Sequence, residues 1–467
     1  GTSALVPSRE WVNPRVARLL QGQLRSPGAV LRPPAWCDAV VTACPTLLPI
    51  DLRLAFFNLT AFGPLRALHA LSSTPRGGGD TRLAPAKRRV VVSRTHVLQS
   101  AMRLLEQKEL VRVQFSHETG HGLGPTVEFY TLVCREAQRR STNMWRDAGE
   151  EDADPEGFVL APTGLFPAPV AGAALAKLVQ FFTFLGRFVG LALQDQRLLD
   201  LPLSAPFCKL IRGDAVSLAD VKDVDPVVGS SLAWLEGVAA QAASPDLPAE
   251  ERTTLAASVD DLCLQFTLPG HAGIELCGGG ADKAVTLDNL PEYLTAVTRC
   301  MFVDGVGAAV DAFQSGFGDF ADVGALKHFT ATELAGLLSA ASDDQERYWS
   351  PHTVARHVVC HHGYDVHSPQ VQQLLGTVAS LDPTDRRLFL RFITGSPRLP
   401  LGGFASLSPK LTIVKSVPPP GFAPDEMLPT CSTCQVYLKL PAYSSPEILR
   451  DKLLLAIREG QEHFALD

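Results

Sequence analysis

Length, composition and periodicity predict a soluble chain of mixed α and β structure, divided into two or three globular domains. Of its 467 residues 46 % are hydrophobic and 19 % charged, so sizeable cores can be buried and global disorder is excluded. Apolar residues recur at helical spacing in most segments and alternate at strand spacing in a few, and two loop-like runs separate them. The formal net charge of -7 argues against a general nucleic-acid binder, which needs an excess of Lys and Arg. Ten cysteines in a chain this long do not make a secreted disulfide scaffold, so a reducing, intracellular setting is expected. The longest apolar stretch, 179–193, is short for a membrane span and contains Arg187; it reads as a buried helix, with no membrane partner. Gly1 rather than Met opens the chain, as in a piece of a longer protein.

In chain order, 11–71 mixes amphipathic helix with breaks at Pro33, Pro34, Pro45 and Pro49. A run rich in Gly and Pro at 72–85, with Gly77, Gly78 and Gly79, reads as a linker. Basic and β-branched residues fill 87–92, then come an amphipathic helix at 95–107 and an alternating strand at 110–115. Segment 126–139 is a predicted helix with Phe129, Leu132, Val133 and Ala137 on one side. After an acidic loop at 150–154, the most apolar block, 173–194, is expected at the centre of the first domain. Region 201–285 reads as short elements broken by Gly278 to Gly280, and helical signals resume over 290–338. A polar stretch at 342–346 reads as a second linker, followed by a unit of about 120 residues, an ordinary domain size. That unit holds a helix at 382–392, strands at 411–414 and 436–440, and a helix at 446–459. The last helix has Ser444 or Ser445 as N-cap, Pro446 in its first turn and Gly460 as stop signal.

Several short patterns bear on chemistry. GHGLGP at 120–125 looks like a phosphate loop but lacks the Lys-Ser/Thr pair, so a tight turn before a helix is expected. Cys360, His361 and His362 have metal-ligand chemistry, and Cys431 with Cys434 would complete a zinc set. The gap of about 70 residues between the pairs matches no common zinc module, so no metal is expected. A thioredoxin-like reading of Cys431 and Cys434 needs a following helix to lower the thiol pKa, whereas a strand follows here. On residues alone, the pair is either reactive or two inert buried thiols.

A resemblance decides between them. LPTCSTCQVYLKLPAYSS at 428–445 closely resembles the active-site stretch of HECT-type ubiquitin ligases, in which a Leu-Pro pair precedes Thr-Cys and a strand leads into Leu-Pro-x-Tyr-x-Ser. Further matches occur in family order: GLGPTVEFY at 122–130, FLGR at 184–187, LLDLPL at 198–203 and FTLPG at 266–270. VTLDN at 285–289, AFQSGF at 312–317 and FITGSPRLPLGGF at 392–404 continue the series. LPIDLR at 48–53, TAFGPLR at 60–66 and the ending REGQEHFALD resemble the ubiquitin-fusion-degradation branch, with its thyroid-hormone-receptor-interactor and plant trichome-related types. Two departures stand out: Ser432 sits where many members carry His, and Cys208 where an aromatic is common.

The resemblance implies a bilobal α+β fold: an upstream helical extension at 1–84, a larger lobe at 85–344, a hinge at 345–347 and a smaller catalytic lobe at 348–467. A subdomain at 195–290 would receive the ubiquitin-conjugating enzyme. Cys434 matches the nucleophile that carries ubiquitin as a thioester, with Thr433 placing the thiol or the thioester carbonyl. Phe464, fourth from the end, and Asp467 match a tail implicated in transfer to protein substrates. The implied partners are ubiquitin, a conjugating enzyme and substrates, in nucleus or cytoplasm, with no cofactor. The competing expectation is a non-catalytic module of the same fold that holds ubiquitin or a partner without chemistry.

Overall fold

A computed structural model describes residues 11–459 except 65, 68–87, 108–110, 117, 119–122, 148–156, 160, 170–173, 198, 340–347, 398, 400–402, 408, 420 and 434. The expected linkers at 72–85 and 342–346, the acidic loop and residues 120–122 of the expected turn therefore lie outside the described residues, and 123–125, expected in that turn, already belong to helix Leu123–Ala137. The chain is α+β, and it packs as two units: 1–137 with 187–202 and 319–467, and 138–186 with 203–318.

In the first unit, helices Pro27–Leu31, Ala35–Ala43 and Ile50–Thr60 are separated at the expected prolines, and helix Pro14–Leu24 ends at a further break, before Pro27, that was not expected. Asn13 caps the first by accepting from the amides of Arg15 and Val16, because the first turn leaves its N–H groups without intrahelical partners. Leu20, Cys37, Val41, Leu48 and Phe56 form the core of this bundle. Two parallel strands follow, β1 (Arg88–Val92) and β2 (Val111–Phe115), bridged by helix Val97–Leu105. Helix Leu123–Ala137 buries Phe129, Tyr130, Val133, Cys134 and Ala137, and Thr126 Oγ1 accepts from Val113 N at 3.1 Å. Leu132, expected on this face, is only half-buried, since the stripe runs through 130 and 134 instead.

The second unit gathers Trp145, Phe181, Phe182, Phe207 and Phe313, largely edge to face. Gly186 is required here: a Cβ on it would lie 2.0 Å from Phe313 O, so only glycine lets the two helices approach. Helix Leu175–Gln194 and the stretch Leu290–Gly318 are each long and apolar enough to cross a membrane, and half or more of each apolar window is buried in protein. The expectation of short elements over 201–285 needs correction. Two short antiparallel strands are there, β3 (Thr267–Leu268) and β4 (His271–Glu275). Helices Pro226–Ala242 and Ala249–Asp260, however, run 17 and 12 residues. The first is Ala-, Gly- and Ser-rich and the second polar nearly all round, so neither shows an apolar stripe; Asp225 and Pro226 start the first.

Residues 349–457 have their own core, built on Trp349, Leu374, Phe389, Ile393, Ile413, Leu438, Leu449 and Leu453 among others. A four-stranded sheet lies in it in the order β5-β6-β8-β7, with β5 (Val359–His361), β6 (Thr412–Lys415), β7 (Thr430–Ser432) and β8 (Tyr437–Leu440). β5, β6 and β8 are parallel, and β7 turns back antiparallel to β8. Helices Pro369–Ala379, Pro383–Thr394 and Pro446–Glu459 pack with it. Ser445 Oγ caps the last, accepting from Ile448 N at 3.3 Å, while Ser444 is engaged elsewhere.

An ion pair joins the N-terminal bundle to helix Ala331–Ser339: Arg53, 1 % exposed, lies bidentate on Glu333. Burial pushes the Glu333 carboxyl up, but Arg53 and the Thr330 amide and hydroxyl outweigh it and hold its pKa below the usual value. A depressed carboxylate pKa stabilises the fold above the unfolded value, about 4.3, and that contribution is lost as pH falls through the folded value. Glu333→Gln is therefore expected to lower stability by about 1–3 kcal/mol at pH 7. Urea unfolding at stepped pH should show the gap to wild type narrowing below about pH 4.

Candidate active site

The hairpin β7–β8 brings the 428–445 motif into the smaller core. Register pairs Cys360 with Ile413, Ile413 with Leu438, and Leu438 with Cys431, so these four residues share one row and one face of the sheet. Ile413 and Leu438 are fully buried, and the two cysteines pack partly buried against the same core. Thr430 and Ser432, alternating with Cys431, face outward and are exposed. Cys431 Sγ donates to Ile393 O at 3.7 Å, and burial pushes its thiol up to about 12, against a smaller lowering from the Tyr437 backbone. Burial and this bond both favour the protonated thiol.

The segment from Thr433 to Val436 joins the two strands, and Gln435 N donates to Ser432 O at 3.2 Å. Val436 has φ +49, costly for a β-branched residue by about 1–3 kcal/mol, and this is why β8 begins at Tyr437 rather than at 436. It is held there by its buried side chain and by its carbonyl, which accepts from Thr412 N at 2.9 Å. Thr433 is half-buried beside the loop that ends helix Pro383–Thr394. Gly395 closes that helix at φ +78; a Cβ there would lie 3.0 Å from Val127 Cγ1 and 4.0 Å from Thr433 Cβ. Thr131 Oγ1 lies 3.5 Å from Gly395 O. Helix Leu123–Ala137, the Gly395 turn and Thr433 are thus stacked in sequence.

Asp425, to which sequence reasoning assigned no role, clamps the approach to the hairpin. Its carboxylate accepts from Ser444 N at 2.8 Å and Ser444 Oγ at 2.6 Å, and those bonds lower its pKa. Tyr443 Oη donates to Met427 O at 2.9 Å. The Tyr-Ser pair after the strand was the available signal: it had to bind something upstream.

The chain matches the HECT-domain (ubiquitin-transferase) family over residues 131–467. This chain belongs to the HECT family. It is 37 % identical over 524 residues to the E3 ubiquitin-protein ligase UPL3 of Arabidopsis thaliana, covering 100 % of this chain and 27 % of the relative. Identity to the E3 ubiquitin-protein ligase TRIP12 of Danio rerio is 36 %, over 99 % of this chain and 24 % of the relative. Identity to ubiquitin fusion degradation protein 4 of Saccharomyces cerevisiae is 32 %, over 99 % and 32 %. The chain thus spans about a quarter to a third of these relatives, and within the HECT family it falls in their branch.

Of the residues matched to the HECT motif, Thr433 is placed as above, while Cys434, Phe464 and Asp467 lie outside the described residues, as does Gly460. Cys360 and Cys431 sit on opposite edge strands, three spacings or about 14 Å apart, so they cannot share one ion. Among the described residues no three His, Cys, Asp or Glu side chains cluster as a metal site. Burial raises the Cys360 thiol, as does Asp365.

Two outcomes check this geometry. Burial keeps the Cys431 thiol protonated, so peptide mapping should find it unalkylated by iodoacetamide in the folded chain at about pH 8 and alkylated in urea. Gly395→Ala should lower stability by about 1–2 kcal/mol in thermal melts, from its positive φ and the Val127 contact.

Proposed function

We propose that this chain is the catalytic part of an E3 ubiquitin-protein ligase that takes ubiquitin from a conjugating enzyme as a thioester on Cys434 and passes it to a substrate lysine. The observation that carries the reading is the register of the hairpin. Of the two cysteines in the motif, Cys431 is turned into the core and held as a neutral thiol. Cys434, next to Thr433 in the sequence, is the residue that the HECT resemblance assigns as nucleophile, and a core-facing Cys431 does not compete with it. Membership of the HECT family and the ligase names of its relatives support it.

In the first step the Cys434 thiolate attacks the thioester carbonyl of the charged conjugating enzyme, whose own thiolate leaves. The exchange trades one thioester for another and needs no nucleotide or cofactor. Even an unperturbed thiol with pKa about 8.5 is a few per cent ionised at neutral pH, so Ser432 in place of a His is tolerable. In the second step a lysine amine attacks, Cys434 thiolate leaves, and the amine proton passes to a base. We assign the larger lobe to 85–344, with the conjugating enzyme received at 195–290, and the smaller lobe to 348–467 on a hinge at 345–347. The separate core of 349–457 supports that division. Substrates are marked for degradation, a reading supported by the yeast relative's name, and the setting in this proposal is nucleus or cytoplasm.

Single-turnover assays with a charged conjugating enzyme test the proposal. Wild type and Cys431→Ser are expected to form an adduct cleaved by thiol reductant; Cys434→Ser forms either none or a reductant-resistant ester. A reducible adduct surviving in Cys434→Ser would favour another nucleophile, and no adduct in any form would favour a non-catalytic module. Phe464→Ala is expected to load normally and to discharge to lysine on the order of 100-fold more slowly if the tail sets near-attack geometry. Equal losses in both steps with a lower melting temperature would reduce Phe464 to a packing residue.

A further inference from the structure

The family match begins at residue 131, yet relatives align over 99–100 % of the chain, N-terminal helices included. Those helices are attached by more than apolar contact. Arg53 Nε donates to Leu48 O at 3.1 Å, Nη1 to His328 O at 2.9 Å and Glu333 Oε2 at 2.7 Å, and Nη2 to Glu333 Oε1 at 2.5 Å. Glu333 also starts its own helix: its Oε2 accepts from Thr330 N at 2.8 Å, and Thr330 Oγ1 accepts from Glu333 N at 3.2 Å. Close by, Asp322 N donates to Ala61 O at 3.0 Å, and Phe57 meets Phe329 edge-on. The Leu48 bond holds Arg53 within its own bundle, and the other ties land on 322–333. A surface appendage could be held by apolar side chains without desolvating two charges; a bidentate pair adds fixed orientation.

The place it orients matters. Helix Ala331–Ser339 buries Leu334 and Leu338, and its Leu338 O accepts from Leu201 N at 3.2 Å. After it, the next described residues are Tyr348 and Trp349, which open the smaller core. We propose that the N-terminal helices brace the transfer step: through Arg53 and Glu333 they fix the helix from which the chain leaves for the smaller lobe, and so set how that lobe meets an acceptor amine. Arg53 and Glu333 are positioning residues, and the inference rests on the transferase reading above. Attack by a protein-borne lysine requires both partners held in place, whereas hydroxylamine reaches a thioester from solution and needs no such placement.

The test uses the full chain, loaded with ubiquitin by a charged conjugating enzyme and chased in single turnover with free ubiquitin as lysine donor or with hydroxylamine. In Arg53→Met, discharge to acceptor ubiquitin is expected to fall about tenfold while loading and hydroxylamine discharge stay within about twofold of wild type. Glu333→Gln keeps the capping oxygen and part of the guanidinium contact, so an intermediate loss with the same split is expected. It decides the matter if Arg53→Met fails to fold. Equal slowing of all three reactions, or unchanged acceptor discharge in folded Glu333→Gln, overturns the brace alone. A wild-type chain that takes no ubiquitin overturns the transferase reading, and the brace with it.

Discussion

The pairing of Leu438 with Ile413 on one side and Cys431 on the other is the constraint from which the candidate site follows. Side chains alternate along a strand, so a slip of one residue in β7 would turn Cys431 to solvent and bring Thr430 and Ser432 inward. The core forbids the slip, because Ile413 and Leu438 are both fully buried and leave an apolar place that a thiol fills and a hydroxyl would not. The strained backbone of Val436 belongs to the same device. Its side chain is buried and its carbonyl bonded to β6, so the connection carrying Thr433 is fixed from the C-terminal end.

The other end of that connection is fixed by neighbours distant in sequence. Thr394 locks the end of its helix through its hydroxyl, 2.7 Å from Leu390 O and accepting from Ser396 N at 3.1 Å. Gly395 then fits between Val127 and Thr433 because it has no Cβ and adopts a positive φ. Asp425 and Ser444 close the entry and exit of the hairpin against each other. The proposed thiol nucleophile needs little help to ionise, so what these contacts around Thr433 would supply is placement rather than basicity.

Much of this was legible in the sequence where patterns are local. The helix at 446–459 was marked by Ser444 or Ser445, Pro446 and the stop signal Gly460, and it runs as Pro446–Glu459. The helix at 382–392 and the strand at 411–414 shifted by one or two residues at their ends. Helices Pro226–Ala242 and Ala249–Asp260 were not legible, since one is weakly amphipathic and the other polar, so composition hid the period. Nor was β7, three residues whose strand character comes from pairing rather than propensity. The motif named Cys434 through resemblance, but nothing local said which way Cys431 faces. That depends on register with Leu438, seven residues on, and on how β8 in turn pairs with β6. Arg53 and Glu333, 280 residues apart, could not be paired from sequence at all.

The central claim is that Cys434, and not Cys431, carries ubiquitin, and it is tested most directly by locating the bond. Wild-type chain loaded from a charged conjugating enzyme would be trapped at low pH, digested without reductant and mapped by mass spectrometry. Both cysteines must be separated by fragmentation between Ser432 and Thr433. The account predicts the ubiquitin C-terminal remnant on the Thr433–Cys434 side, with Cys431 as free thiol. A remnant on Cys431 would contradict it.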